Sequence, residues 1–192
     1  MEQGYAKISY SMKRGEIKIM EKDCCFTNEN NWFRYRAAGI VVEGNEALFV
    51  SDDTIDYLYT VGGGVHIGES AEACVKREMF EETGVAYEID HLAAVCENFF
   101  DGHGGMIDGM DCHCLEFMFL MKSRGIKEFT NKSINQDGNL EKLIWVPIDE
   151  ISQYNIKPSF LKEKIREIIE GTSILHIVTE QDRKKKPDEI LP

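Results

Sequence analysis

No apolar run in this 192-residue chain approaches the roughly 20 residues needed to cross a bilayer as a helix. Basic residues are scarce: 22 Lys and Arg stand against 34 Asp and Glu, a formal net charge of −12. Nucleic-acid polymers and anionic membranes are bound through basic surface, so neither is expected as a partner. A small phosphorylated ligand stays open, provided bound divalent cations neutralise its charge locally. Export is not expected, because Met1-Glu2-Gln3-Gly4 lacks the basic and then apolar order of a secretory signal. The cysteines at 24, 25, 74, 96, 112 and 114 are therefore expected as thiols in a reducing cytoplasm rather than as disulfides.

What is present is the balance of an ordinary globular protein, 43% hydrophobic and 29% charged, in a chain long enough for one domain with short extensions. Ile8, Tyr10, Ile17 and Ile19 alternate with polar residues, which suggests a hairpin around Arg14-Gly15. Strands are expected over 33–42 and 46–50, joined by a tight turn at Glu43-Gly44-Asn45, and again over 57–61. A glycine cluster follows. A helix is then expected over 71–83, entered through Ser70 as N-cap and stopped by Gly84. Extended segments over 89–100 and 115–121 flank a glycine-rich acidic loop, 101–111, long enough to close over a ligand or to serve only as a mobile hairpin connection. Residues 143–146 form a strand closed by Pro147, 158–170 a helix with Leu161, Ile165, Ile168 and Ile169 on one side, and 173–179 a last strand. Strands alternating with two helices, the first strands being hairpin-linked, imply an α/β fold with a mixed sheet.

The helix over 71–83 carries the chemistry. On a wheel of 100° per residue, Ala71, Cys74, Val75 and Met79 form an apolar stripe. Glu78 and Glu82 fall inside that stripe and Glu81 at its edge. Three carboxylates at this spacing repel one another, and burying ions without partners costs several kcal/mol more. Arg77, one turn before Glu81, can compensate one of them; hard divalent cations with oxygen ligands can compensate the rest, with Mg²⁺ the first choice. A merely solvated acidic helix is the competing reading. Gly62-Gly63-Gly64 shift the balance, since bare backbone lets a carbonyl turn toward a cation. The glycines are neither a Walker loop, which ends Gly-Lys-Ser/Thr, nor a dinucleotide fingerprint, whose third glycine is replaced by Ile67.

Gly63, five residues, Glu69, seven residues, Arg77-Glu78-Met79, one residue, Glu81-Glu82, one residue, Gly84-Val85: this run resembles the signature of the Nudix hydrolases at every position. With each fixed type assigned roughly the 7% usage of Gly, such a match arises by chance on the order of once in 10⁸ windows. The likeness extends over roughly residues 21–179, including Phe33-Arg34-Tyr35-Arg36 and Leu143 to Glu150, with Val61 replacing a proline common before the glycines. It implies an α/β/α sandwich with a mixed sheet and two main helices, flanked by an N-terminal extension over 1–20 and a charged tail over 180–192. It also implies hydrolysis of the pyrophosphate bond of a nucleoside diphosphate linked to another moiety, whether ADP-ribose-like, a dinucleotide, a sugar nucleotide or a nucleoside triphosphate. The alternative is a Nudix-fold sensor that binds such a nucleotide derivative without cleaving it; an RNA role has no basic track to support it. Carried over by position, Glu78, Glu81, Glu82 and the Gly62 carbonyl would bind Mg²⁺, or Mn²⁺ in its place. Arg77 would orient a carboxylate, and Glu69 would hold the loop–helix junction and Arg77. Glu78 is an alternative base. A homodimer is implied, with residues 1–20 contributing a strand.

Outside the signature, Glu116, Asp137 and Glu141 are the candidates for a general base or extra metal ligand. Glu116 interrupts an apolar strand, which makes it the first candidate and suits a catalytic or a structural role equally, whereas Asp137-Gly138 has the simpler reading of a turn. Arg36 offers a donor fork for phosphate, although an arginine at a strand end is often solvated. His113 can reach toward the substrate. With Cys112, Cys114 and His103 it suggests zinc only weakly, because adjacent strand residues point to opposite faces.

Overall fold

The computed structural model describes residues 22–103, 105–129 and 141–179. The hairpin expected around Arg14-Gly15, Asp137 and the tail over 180–192 lie outside these residues. Strand β1 (Cys25–Asn28) pairs antiparallel with β2 (Asn31–Ile40), which begins two residues earlier than expected. A tight turn at Gly44, whose φ is +64°, joins β3 (Val42–Glu43) to β4 (Glu46–Ser51). Next come β5 (Leu58–Tyr59) and β6 (Val61–Gly64). The glycine cluster is thus not a loop: β6 pairs antiparallel with β2, from Arg36 opposite Gly64 to Gly39 opposite Val61.

Helix α1 (Ala71–Thr83) has the expected bounds. Ser70 accepts from the Ala73 amide at 3.2 Å, and Gly84, in the left-handed region at φ +71°, donates its amide to the Phe80 carbonyl at 2.8 Å. Two long strands follow, β7 (Ile89–Asp101) and β8 (Asp111–Met121), and then β9 (Lys142–Pro147), β10 (Ile156–Lys157), α2 (Leu161–Glu170) and β11 (Leu175–Thr179). The loop between β7 and β8 holds a 3₁₀ turn at Gly105–Ile107 and closes on itself through Gly102 N to Met110 O at 2.7 Å.

The strands form two sheets. In the first, β2 lies parallel to β8, β8 antiparallel to β7 and β7 parallel to β11, with β1 and β6 sharing the other edge of β2. In the second, β4 is flanked by β9 on one edge and by β3 and β5 on the other, and β10 extends β5. Side-chain alternation divides the core between two faces: Ala47 and Phe49 pack with Leu161, Ile165 and Ile168 of α2, while Leu48 and Val50 pack with Cys74, Val75 and Met79 of α1. The two helices therefore cover opposite faces, the expected α/β/α arrangement with mixed pairing. Among the described residues no helix is long and apolar enough to cross a membrane.

Candidate active site

The apolar stripe of α1 is buried, and the helix turns its acids as the wheel requires: Glu82 is 7% exposed, Glu78 partly buried, and Glu81 the most open. Arg77 gathers the outer acids. Its Nε and Nη2 donate to both oxygens of Glu69 at 2.9 and 3.0 Å, and its Nη1 donates to Glu78 at 2.6 Å and to Glu81 at 3.1 Å. The fork on Glu69 holds that carboxyl below its usual range despite partial burial, with the His66 amide helping. Burial pushes Glu78 upward and outweighs the opposing Arg77 charge, with Glu81 adding to the rise.

Glu82 has no such partner. Its Oε1 accepts from the Gly62 amide at 3.1 Å, and its Oε2 is buried with no hydrogen-bond partner among the described residues. Burial, reinforced by the charge of Glu141, raises this carboxyl to about 8 against the pull of Arg36. Gly62 is pinned from both ends, because its carbonyl also accepts from Arg36 Nη2 at 2.9 Å. A side chain there would strike the Ala37 carbonyl, and φ is +144°, so only glycine serves. A side chain at Gly63 would strike the Glu78 carboxylate.

Arg36 sits mid-strand, not at a strand end, and is not solvated. It forms an ion pair with Glu116, its register partner on β8, and donates to the Thr60 carbonyl at 2.7 Å and the Thr60 hydroxyl at 3.2 Å. Glu116 is 3% exposed, so the acid that interrupts the apolar strand points inward at this arginine.

A NUDIX domain model matches residues 33–170, well over half of the chain. The chain belongs to the Nudix hydrolase family. Solved structures with the same fold include the mutator MutT protein of Bacillus halodurans, 21% identical with a TM-score of 0.57 over 74% of this chain and 86% of that one. A MutT protein of Methanosarcina mazei Go1 is 15% identical with a TM-score of 0.53 over 71% and 93% of the two chains. An ADP-ribose pyrophosphatase of Streptococcus suis 89-1591 is 12% identical with a TM-score of 0.52 over 76% and 98%. No curated protein matches.

This Nudix hydrolase keeps a further acid at the helix. Glu141, just before β9, accepts from the Tyr59 hydroxyl at 2.7 Å and raises the Glu82 carboxyl through its charge. The donor set of Glu78, Glu81, Glu82 and the Gly62 carbonyl is all oxygen, and the partnerless Glu82 Oε2 calls for positive charge, so these residues fit a hard divalent cation. Among the described residues no three of His, Cys, Asp and Glu stand grouped to hold an ion by themselves.

His113 is not brought to the carboxylates. It lies on the opposite face of β8 from Glu116, its ring stacked on Phe99 at 4.3 Å and edge-on to Phe33 at 5.3 Å, with Nε2 buried and without a partner among the described residues. Cys112 and Cys114 fall on the Glu116 face, so the strand separates the residues of a zinc site, as alternation predicts. On that same face, β7 carries Cys96 opposite Glu116, then Asn98 and Phe100. Those two residues, with Tyr57, His103, Ile107 and Lys157, line a cavity of about 210 Å³. Asn98 and Phe100 stand two and four residues along the strand from the position opposite Glu116, about 7 and 13 Å. Sequence reading missed this cavity because its walls come from four separated segments. It also missed the burial of Arg36, although a charged residue at the same strand parity as Ala38 and Ile40 was a signal for it.

Proposed function

We propose that the chain hydrolyses the pyrophosphate bond of a nucleoside diphosphate linked to another moiety, or of a nucleoside triphosphate, using Mg²⁺ or Mn²⁺. The observation that carries this reading is Glu82, a carboxyl buried against the Gly62 amide with one oxygen that has no hydrogen-bond partner among the described residues. A divalent cation bound there would supply charge to the phosphate oxygens and lower the pKa of a water. The remaining work belongs to the chain. Glu78, Glu81, Glu82 and the Gly62 carbonyl hold the cation. Arg77 fixes the two outer carboxylates, and Glu69 fixes Arg77. Arg36 locks the Gly62 peptide, and Glu116 keeps Arg36 in place from inside the sheet. Glu141, aimed by Tyr59, is the proton acceptor for the attacking water, with Glu78 as the alternative base. The nucleoside half extends into the cavity walled by Tyr57 and Phe100, whose 210 Å³ suits one ring system better than a whole ligand.

The same reading takes the domain to span residues 21–179 and the working form to be a cytoplasmic homodimer acting on small nucleotides. On this reading the six cysteines are thiols of a reducing compartment. The net charge of −12 offers no track for a nucleic-acid polymer. The test is a ³¹P NMR time course with Mg²⁺ and a panel holding ADP-ribose, a dinucleotide, a sugar nucleotide and nucleoside triphosphates, run beside Glu82→Gln and a chelator control. Turnover of one compound, lost in both controls, is the expected outcome. No turnover of any compound, with one of them raising the melting temperature, would replace hydrolysis by ligand sensing.

A further inference from the structure

Residues 22–24 lie ahead of the segment that the family model matches, yet they are bonded to the loop that delivers the Nudix helix. Cys24 N donates to Val65 O at 2.7 Å, Ile67 N to Lys22 O at 2.8 Å and Tyr35 N to Cys24 O at 2.9 Å. They form a strap across residues 65–67, and Asp23 is its central residue, bridged to His66. The Asp23 carboxylate accepts from Arg34 Nη2 at 3.1 Å and lies 3.6 Å from His66 Nε2. It covers Gly64 so closely that any side chain there would strike it.

From His66 the contacts run on into the site. The His66 amide donates to Glu69 Oε2 at 3.0 Å, and its ring Nδ1 is 3.9 Å from the same oxygen. Glu69 holds the Arg77 fork, and Arg77 holds Glu78, Glu81 and, at 3.2 Å, the carbonyl of Gly64 itself. Asp23 therefore meets the arginine by two routes, through His66 and Glu69 and through the Gly64 peptide.

We propose that Asp23 is a positioning residue of the active site: by pinning His66 and Gly64 it sets the Arg77 fork and thereby the aim of Glu78 and Glu81. The proposal rests on the metal-dependent hydrolase reading. Removing groups that orient ligands typically weakens metal binding 10–100-fold. Asp23 acts two contacts further back, so Asp23→Ala should weaken it by about 3–10-fold.

The test uses the full chain and Mn²⁺ alone, following free Mn²⁺ by electron paramagnetic resonance, with kcat and KM measured separately. Asp23→Ala is expected to raise the Mn²⁺ dissociation constant and lower kcat while leaving KM within twofold. Asp23→Asn, which keeps an acceptor for Arg34, is expected to recover part of both losses. Should Asp23→Ala fail to fold, the same measurements on Asp23→Asn and on Arg34→Met decide the matter, each expected to show a smaller weakening. Unchanged Mn²⁺ affinity and kcat in the folded variants, even with a lowered melting temperature, would overturn the proposal and leave the strap a purely structural element. A wild-type chain that neither binds Mn²⁺ nor hydrolyses any nucleotide would sink the underlying reading, and Asp23 with it.

Discussion

Glu82→Gln should make the metal-free protein more stable while abolishing its activity. In the wild type the folded state holds the Glu82 proton up to a pH of about 8, against 4.5 for an unperturbed carboxyl. Between these values unfolding releases a proton, so the contribution of Glu82 to stability falls as pH rises from 4.5 to 8. At 1.36 kcal/mol per unit, the ionised carboxylate costs the folded metal-free chain up to about 5 kcal/mol at pH 8 and nothing at pH 4.5. Glutamine keeps the acceptor for the Gly62 amide but buries an amide group of its own, which costs about 1–3 kcal/mol. The net gain expected at pH 8 is therefore about 2–4 kcal/mol, or about 4–16 °C in melting temperature for a chain of this size. The assay is thermal and urea unfolding of both proteins in chelator at pH 5 and pH 8, followed by addition of Mg²⁺. The gain should be present at pH 8 and small or reversed at pH 5, and Mg²⁺ should stabilise only the wild type. A variant destabilised equally at both pH values would refute the reasoning, since it would mean that the buried carboxylate was already satisfied.

Arg77→Lys keeps the charge but loses the fork on Glu69, so kcat should fall about 10–100-fold with little change in stability; wild-type turnover in a steady-state assay would count against the role given to the fork. Glu116→Gln strands the buried Arg36 and should cost about 3 kcal/mol in urea unfolding, most of it recovered in Arg36→Met/Glu116→Leu; turnover of the single variant unchanged at saturating metal would confine Glu116 to structure. Glu43, 2% exposed, accepts from Ser123 Oγ at 2.7 Å, Arg124 N at 2.6 Å and Gly125 N at 2.9 Å. Burial alone would raise its pKa, but these donors lower it, so its stabilising effect is full above pH 4.5 and is lost as pH falls through the folded-state value. Glu43→Gln should accordingly cost about 2 kcal/mol at pH 7 and progressively less toward pH 3 by urea titration, and a constant difference would contradict the assignment.

The features that were legible in the sequence are those encoded within one turn or one strand. Ser70 and Gly84 are local caps, so both ends of α1 can be read, and the 3.6-residue period alone puts Glu78 and Glu82 on the buried side. Strand parity likewise separated His113 from Cys112 and Cys114. The features that stayed hidden depend on pairing between distant segments. Glu116 could be seen as an acid in an apolar strand, but its partner Arg36 is 80 residues away and meets it only because β2 and β8 run parallel in register. The glycine cluster looks like a loop in sequence because glycine disfavours strands, whereas three close approaches, from the Ala37 carbonyl and the Glu78 and Asp23 carboxylates, make a side-chain-free strand the arrangement that fits. Asp23 itself carries no periodic or motif signal, since its role follows from residues 34, 64 and 66 closing around it.

The charges around α1 are settled from the outside inward. Glu81 is open to water and shares Arg77, and Glu78 is half-buried and held by the same guanidinium, so both outer acids have protein cations at hand. Arg36 acts on Glu82 from the inner side, but its fork is already spent on Glu116, Thr60 and the Gly62 carbonyl. Among the described residues Glu82 is therefore left with a backbone amide on one oxygen and no hydrogen-bond partner on the other, next to a second acid, Glu141, held by a tyrosine. A fold selected for stability alone would place a hydrophobe at this point of the stripe, where Met79 and Val75 already sit. In the metal-free chain a proton settles this corner below a pH of about 8, and on the proposed function a divalent cation takes that proton's place beside the pinned Gly62 peptide.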